Sequence, residues 1–151
     1  MESGPIASID FVRAGIEETL KVDPKEKIIN AVLLFTRLWK EVPKTEEQLE
    51  SEKGKEKEKY SVNVTSSLYS MKNAGKPIAN AEAQIVVDEA TGQNYAEWNA
   101  DGATYKIWLE DEVSLEAKLK LLKEYDLAGN AAWRLGYEKS GTWDLILKYV
   151  N

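Results

Sequence analysis

Neither cysteine nor histidine occurs anywhere in the 151 residues. Their absence removes disulfides, thiolate nucleophiles, imidazole bases and the commonest metal ligands together. No metal or other cofactor is expected, and any chemistry falls to carboxylates, Tyr, Lys or Ser. Basic residues are outnumbered, 20 Lys and Arg against 26 Asp and Glu, for a net charge of -6. Such a field repels phosphate, and without a basic stripe the expectation is no nucleic acid and no membrane surface as partner. No run approaches the ~18 apolar residues of a membrane span, and the opening MESGPIASID has neither the basic nor the apolar region of a signal peptide. What is present suffices for one core: 43% of the residues are hydrophobic and five are Trp, which matches a single globular unit.

Along the chain, Ile9, Val12, Ile16 and Leu20 recur at helical spacing behind Ser8, a natural cap, with Pro24 just beyond. Residues 27–39, KIINAVLLFTRLW, are almost continuously apolar and predict a strand buried on both faces of a parallel sheet. The charge-dense PKTEEQLESEKGKEKEKY that follows has no face to bury and predicts a solvated loop or a short exposed helix. SSLYSMKNAGKPIANAEA spaces Leu68, Met71, Ala74 and Ile78 as a helix, weakened by Gly75 and Pro77. Residues 84–88, 93–99 and 104–110 are short runs rich in Val, Tyr, Trp and Ile, separated by EATG and ADG turns, and predict an antiparallel meander. Leu115, Leu119 and Leu122 then form a helical stripe with Ser114 as expected cap. Residues 128–135 predict a second buried strand, and Trp143, Ile146, Leu147 and Val150 a last helix capped by Thr142. The closing AGNAAWRLGYE places Trp133 and Arg134 where a strand of small residues ends, the position at which a parallel sheet carries its ligands.

The order and two local sequences resemble the C-terminal end of the catalytic barrel of family 18 glycoside hydrolases, in the chitinase-like and spore-cortex-lytic branch. AVLLFTRLW lies on the family's seventh barrel strand, Gly-Val-Pro-Phe-Tyr-Gly-Arg-x-Trp, with Arg37 and Trp39 matching and Ala31, Leu33, Leu34, Phe35 and Thr36 departing. Trp133 matches the Trp of the eighth strand that floors the subsite at the scissile bond. The resemblance implies an α/β fold: the last two parallel strands and helices of a TIM (β/α)8 barrel, residues 1–45 and 110–151, with an inserted α+β piece and antiparallel meander at residues 46–109, all in one compact unit. It also implies a parent that is extracellular or spore-associated and an N-acetylglucosamine-containing polysaccharide, chitin or peptidoglycan, as partner.

The family's acid is the Glu of an Asp-x-x-Asp-x-Glu motif. The residues three beyond Asp10, Asp23, Asp88, Asp101, Asp111, Asp126 and Asp144 are Arg13, Glu26, Thr91, Thr104, Ser114, Gly129 and Leu147, so the motif does not occur. With no catalytic residue to assign, the expected function is an inactive C-terminal fragment of a family 18 hydrolase. The Leu33 and Phe35 departures turn a cleft wall into core filler, as would suit a truncated or engineered stand-alone fold, or a degenerate natural one. The alternative is a carbohydrate-binding module.

Four residues are candidates for substrate binding. Trp133 is either an aromatic platform for a sugar ring or a Trp closing the core. Arg37 and Trp39 could meet sugar hydroxyls, or Arg37 could form a surface ion pair. Glu110 resembles a family position at the cleft rim. Adjacent carboxylates at Glu110, Asp111 and Glu112 cannot face each other as an acid/base pair and are explained by a helix N-terminus. The two parallel strands leave open edges, which must be covered by the chain's own helices or by a homodimer.

Overall fold

The structure, a computed structural model, describes residues 2–150. Helix α1 (Ile9–Leu20) is capped as expected, the Ser8 hydroxyl accepting from the amide of Phe11. Strand β1 (Ile29–Leu33) runs parallel to β7 (Gly129–Trp133), with Ile29 opposite Gly129 and Leu33 opposite Trp133. The two segments expected as neighbouring parallel strands are therefore neighbours.

The expected single strand of residues 27–39 divides at Leu34. Beyond it, β2 (Phe35–Pro43) leaves the parallel pair and enters an antiparallel sheet. The split has a backbone cause: the Leu34 N–H donates to the Trp133 carbonyl at 2.7 Å, while its own carbonyl accepts from Met71 N at 2.8 Å. One residue thus belongs to both sheets, and its side chain is fully buried with Val32, Met71, Leu115, Leu119 and Ile146. An apolar run cannot reveal such a hand-over, because both strands want the same residue types.

Burial on both faces is also corrected. Val32 and Ala132 turn to a core shared with α4 (Glu112–Glu124) and α5 (Thr142–Leu147). Ile29, Ala31, Ala131 and Trp133, one residue out of step on their strands, are exposed. The pair has one covered face and one open face.

The antiparallel sheet, which begins with β3 (Val62–Ser70), has the order β3-β2-β6-β5-β4. Its β4 (Ile85–Asp88), β5 (Gln93–Ala100) and β6 (Ala103–Trp108) are the expected meander. The β5–β6 turn places Asp101 and Gly102 at φ 51° and 70°, the two positive values that a tight Asp-Gly hairpin requires. Strand β2 pairs with β6 on one side and β3 on the other, so this sheet recruits a strand that precedes residue 46. The charged segment forms short exposed helix α2 (Glu46–Ser51), closed by a reciprocal Thr45–Gln48 capping box. The helix expected around Leu68 is a correction: residues 66–70 complete β3 (Val62–Ser70), and only Gly75–Asn80 is helical, as α3. Pairing with β2 along nine positions outweighs the local helical spacing. Helix α3 covers one face of the sheet, packing Ala74 and Ile78 on Ala96, Ile107 and Leu109.

Two caps also differ from expectation. Asp111, not Ser114, caps α4, its Oδ1 accepting from the amides of Val113 and Ser114. Gly141, at φ 84°, precedes α5 in place of a Thr142 cap, and Thr142 is buried within the helix.

Candidate carbohydrate-binding face

Trp133 is the last residue of β7 and is 63% exposed, while the rest of that strand ends in Ala131 and Ala132. Its carbonyl is held by Leu34, the peptide bond to Arg134 is cis, and the Arg134 guanidinium lies 4.5 Å over the Tyr137 ring. The Leu34 hydrogen bond holds the backbone at this tip, and the indole is exposed. An exposed aromatic face on a fixed strand end is suited to stacking on the CH patches of a sugar ring.

Arg37 and Trp39 lie on β2, within the strand rather than past its end. Alternation puts both on the sheet face opposite α3. Arg37 donates to the Ser66 hydroxyl at 2.8 Å and, among the described residues, forms no ion pair, so the surface-pair reading does not apply. Trp39 donates through Nε1 to the Gly4 carbonyl at 2.7 Å. The two side chains border a groove of about 300 Å³ with Glu2, Gly4, Pro5 and Ile6.

Glu110, expected at a rim, is 2% exposed. Both its carboxylate oxygens lie 2.6 Å from Lys118 Nζ, and it accepts further from Ser114 Oγ at 2.7 Å and Gln93 Nε2 at 3.3 Å. Burial pushes this carboxyl's pKa up, opposed by those charge-assisted bonds. Its surroundings tie the exit of β6 to α4 and to β5. The structure places Trp133, the Arg37 and Trp39 pair, and Glu110 in three different settings.

Sequence reading missed Glu41. Two residues beyond Trp39 on the same face, it accepts from Ser3 Oγ, and Lys106 Nζ stands 3.0 Å from its second oxygen. Burial acts to raise its pKa, but the bonds from Ser3 and Lys106 outweigh that and leave it lowered. The same face carries Tyr95 and Trp108, ring centroids 4.6 Å apart, with Trp108 Nε1 donating to Asp88 at 2.7 Å. The period-two signal from Arg37 through Trp39 to Glu41 was available, but it was hidden while residues 27–39 were read as one two-sided strand. Among the described residues no cluster of carboxylates could hold a metal ion.

No family model matches the chain. YdhD of Bacillus subtilis, a presumed sporulation-specific glycosylase, is 27% identical over 135 residues, 89% of this chain and 28% of that protein. The spore cortex-lytic enzyme SleL of Bacillus megaterium shares 25% identity and a TM-score of 0.72, over 99% of this chain and 32% of its own. A chitinase of Chromobacterium violaceum aligns at TM-score 0.75 with 20% identity, over 97% of this chain and 40% of its own. The chain spans about a third of the length of these relatives. It resembles the C-terminal segment of a family 18 glycoside hydrolase, with the mixed α/β fold of a partial chitinase-like barrel.

Proposed function

We propose that this chain is the non-hydrolytic segment of a chitinase-like fold and that its Trp133 side binds polymers of N-acetylhexosamine. The observation that carries the reading is the exposed indole at the C-terminal tip of β7, the end of the strands at which (β/α)8 enzymes build their sites. Relatives named as chitinases and spore cortex-lytic enzymes point to N-acetylglucosamine-containing polymers, chitin or cortex peptidoglycan. Arg37 and Trp39 supply further polar and aromatic groups on the antiparallel sheet. Glu110 contributes from the core, by fixing α4 against the sheet.

Hydrolysis is not part of this reading. Family 18 chemistry depends on an acid from the Asp-x-x-Asp-x-Glu motif, which the sequence does not contain. Glu110, 2% exposed, is ion-paired to Lys118, and Asp111 caps α4.

A second reading, a fold with no ligand, is favoured by the open face of β1 and β7. Ile29, 62% exposed, and the exposed Ala131 lie on that face. Titration with N-acetylglucosamine oligomers, followed by Trp fluorescence, separates the two. Saturable quenching or a blue shift that disappears in Trp133→Ala supports binding. An unchanged spectrum at millimolar oligomer leaves only the second reading.

A further inference from the structure

Strand β4 is an outermost strand of the antiparallel sheet and, among the described residues, pairs with β5 alone. Its other side presents backbone N–H and C=O groups to which no strand is joined. The side chains do nothing to blunt that edge. Ile85, Val86 and Val87 are 48%, 49% and 62% exposed, and neither Lys nor Pro stands in the strand. Alternation sends Ile85, opposite Ala96, and Val87 to the α3 side of the sheet, and Val86, opposite Tyr95, to the other side. The strand is therefore apolar on both faces and open along one edge. The sheet's other outer strand, β3, carries Asn63, Thr65, Ser66 and Ser67 over its middle.

Charge identifies the kind of strand that fits there. From Pro77 to Tyr105 the chain has no Lys or Arg, whereas Glu82, Asp88, Glu89, Glu97 and Asp101 are all acidic. This stretch supplies β4, β5 and the start of β6, so the outer end of the sheet is negative around an apolar strip. Asp88, which ends β4, takes its hydrogen bonds from uncharged groups, Trp108 Nε1 at 2.7 Å and the Thr91 hydroxyl at 2.9 Å, and so keeps its full charge. A second copy laid along this edge would bring like charge against like charge, and a segment that mixes apolar residues with Lys or Arg would not.

We propose that the open edge of β4 is a docking site for an extended basic segment of another protein, which adds antiparallel to β4 as a further strand of the sheet. Main-chain hydrogen bonds to the edge supply affinity, as in other cases of strand addition. Apolar side chains at every second position of the segment cover Ile85 and Val87, and Lys or Arg at its ends meets Glu82 and Glu89. The site is separate from Trp133 and does not depend on the sugar-binding reading.

The test titrates the full chain into a fluorescently labelled peptide, Lys-Val-Thr-Val-Lys-Val-Arg, and follows its anisotropy. Saturable binding that weakens with added salt is expected, with shifts in the amide resonances of residues 85–88. Two further peptides carry N-methyl groups at alternate positions, one set along each edge. The set that faces β4 removes two or more main-chain hydrogen bonds and is expected to weaken binding roughly tenfold. Val87→Lys, a change at an exposed position, is expected to weaken the unmethylated peptide by roughly the same factor, with an unchanged melting temperature. The reversed-charge peptide Glu-Val-Thr-Val-Glu-Val-Glu is expected not to bind. Full affinity for both methylated peptides would reduce the contact to surface charge and overturn strand addition. Equal binding of the reversed-charge peptide would overturn the basic partner, and absence of binding at millimolar peptide would overturn the site itself. Residue 85–88 amides that are protected from exchange in concentrated protein and lose that protection on dilution would assign the edge to a second copy, which also overturns the proposal. If Val87→Lys does not fold, the methylated pair decides, because it uses the unaltered chain.

Discussion

Glu110 and Lys118 face each other at 2.6 Å with side chains 1% and 3% exposed, where β6 gives way to α4. Two opposite charges so far from water hold only because each satisfies the other and because Ser114 and Gln93 take up remaining oxygen lone pairs. Lys118→Met, which strands the carboxylate, is expected to cost about 3–5 kcal/mol. The double variant Glu110→Gln/Lys118→Met should recover most of that loss, since the pair's own attraction roughly balances the cost of burying it. Denaturant unfolding of the three proteins gives the answer. A single variant as stable as the parent would show that the pair is solvated in solution.

The pair also shows what sequence could and could not convey. Glu110 was visible as an acidic residue before a helix, and Lys118 as one Lys among many. Their contact, eight positions apart, depends on the cap at Asp111 setting the helix phase. Helices α1 and α4, the meander and the two parallel strands were legible because period and turn chemistry agree there. The Leu34 hand-over was not, since it is decided by which sheet each amide and carbonyl reaches. The helical spacing of Leu68, Met71, Ala74 and Ile78 hides β3, because its strand form depends on pairing with β2. Trp133 stood out as a large aromatic at the end of an Ala and Gly strand, but whether it faces solvent or closes the core depends on the β1–β7 pairing, which leaves it 63% exposed. Glu41 could be found only after β2 was known to be one-sided.

Leu34→Ala should be among the most damaging single changes. The side chain is fully buried with Val32, Met71, Leu115, Leu119 and Ile146, and truncation of such a Leu costs about 2–5 kcal/mol. Calorimetric melting should show the loss over the whole transition. A separate early transition for the antiparallel sheet would instead mean that Leu34 does not couple the two.

Acid should loosen the joint between α1 and α4. Arg13 Nη1 and Nη2 reach Glu124 at 2.5 and 3.2 Å, and the Arg13 hydrogen bond lowers the Glu124 pKa. A carboxylate with a lowered folded pKa contributes stability that is present above its unfolded value, about 4.3, and lost as pH falls through the folded value. Asp126, lowered by its bond from Lys25, acts in the same direction. Glu124→Gln should therefore flatten the decline in melting temperature below about pH 4.3 and respond less to salt. An unaltered acid profile would place the sensitivity elsewhere.

Self-association is expected through the groove between α1 and the outer edge of β1. Phe11 is 71% exposed at its rim, Ile29 is 62% exposed beside it, and the lining holds no charged residue. The strand edge offers unpaired N–H and C=O groups that a second copy can meet. Light scattering across a concentration series should show dimer at the upper end, reverting to a 17.0 kDa monomer in Phe11→Asp. A monomer at every concentration, with the residue 31–35 amides protected from exchange, would mean that α1 covers the edge by itself.

Binding of an N-acetylglucosamine polymer at Trp133 without cleavage is the proposed function, and a single NMR sample of protein with the hexamer tests both halves. Saturation transfer from the protein to the acetyl methyl groups is predicted, lost in Trp133→Ala, with no new reducing-end anomeric signals over days. New reducing ends that vanish on substitution of one Asp or Glu would contradict the absence of hydrolysis, and transfer that is missing, or unchanged in Trp133→Ala, would contradict the binding face.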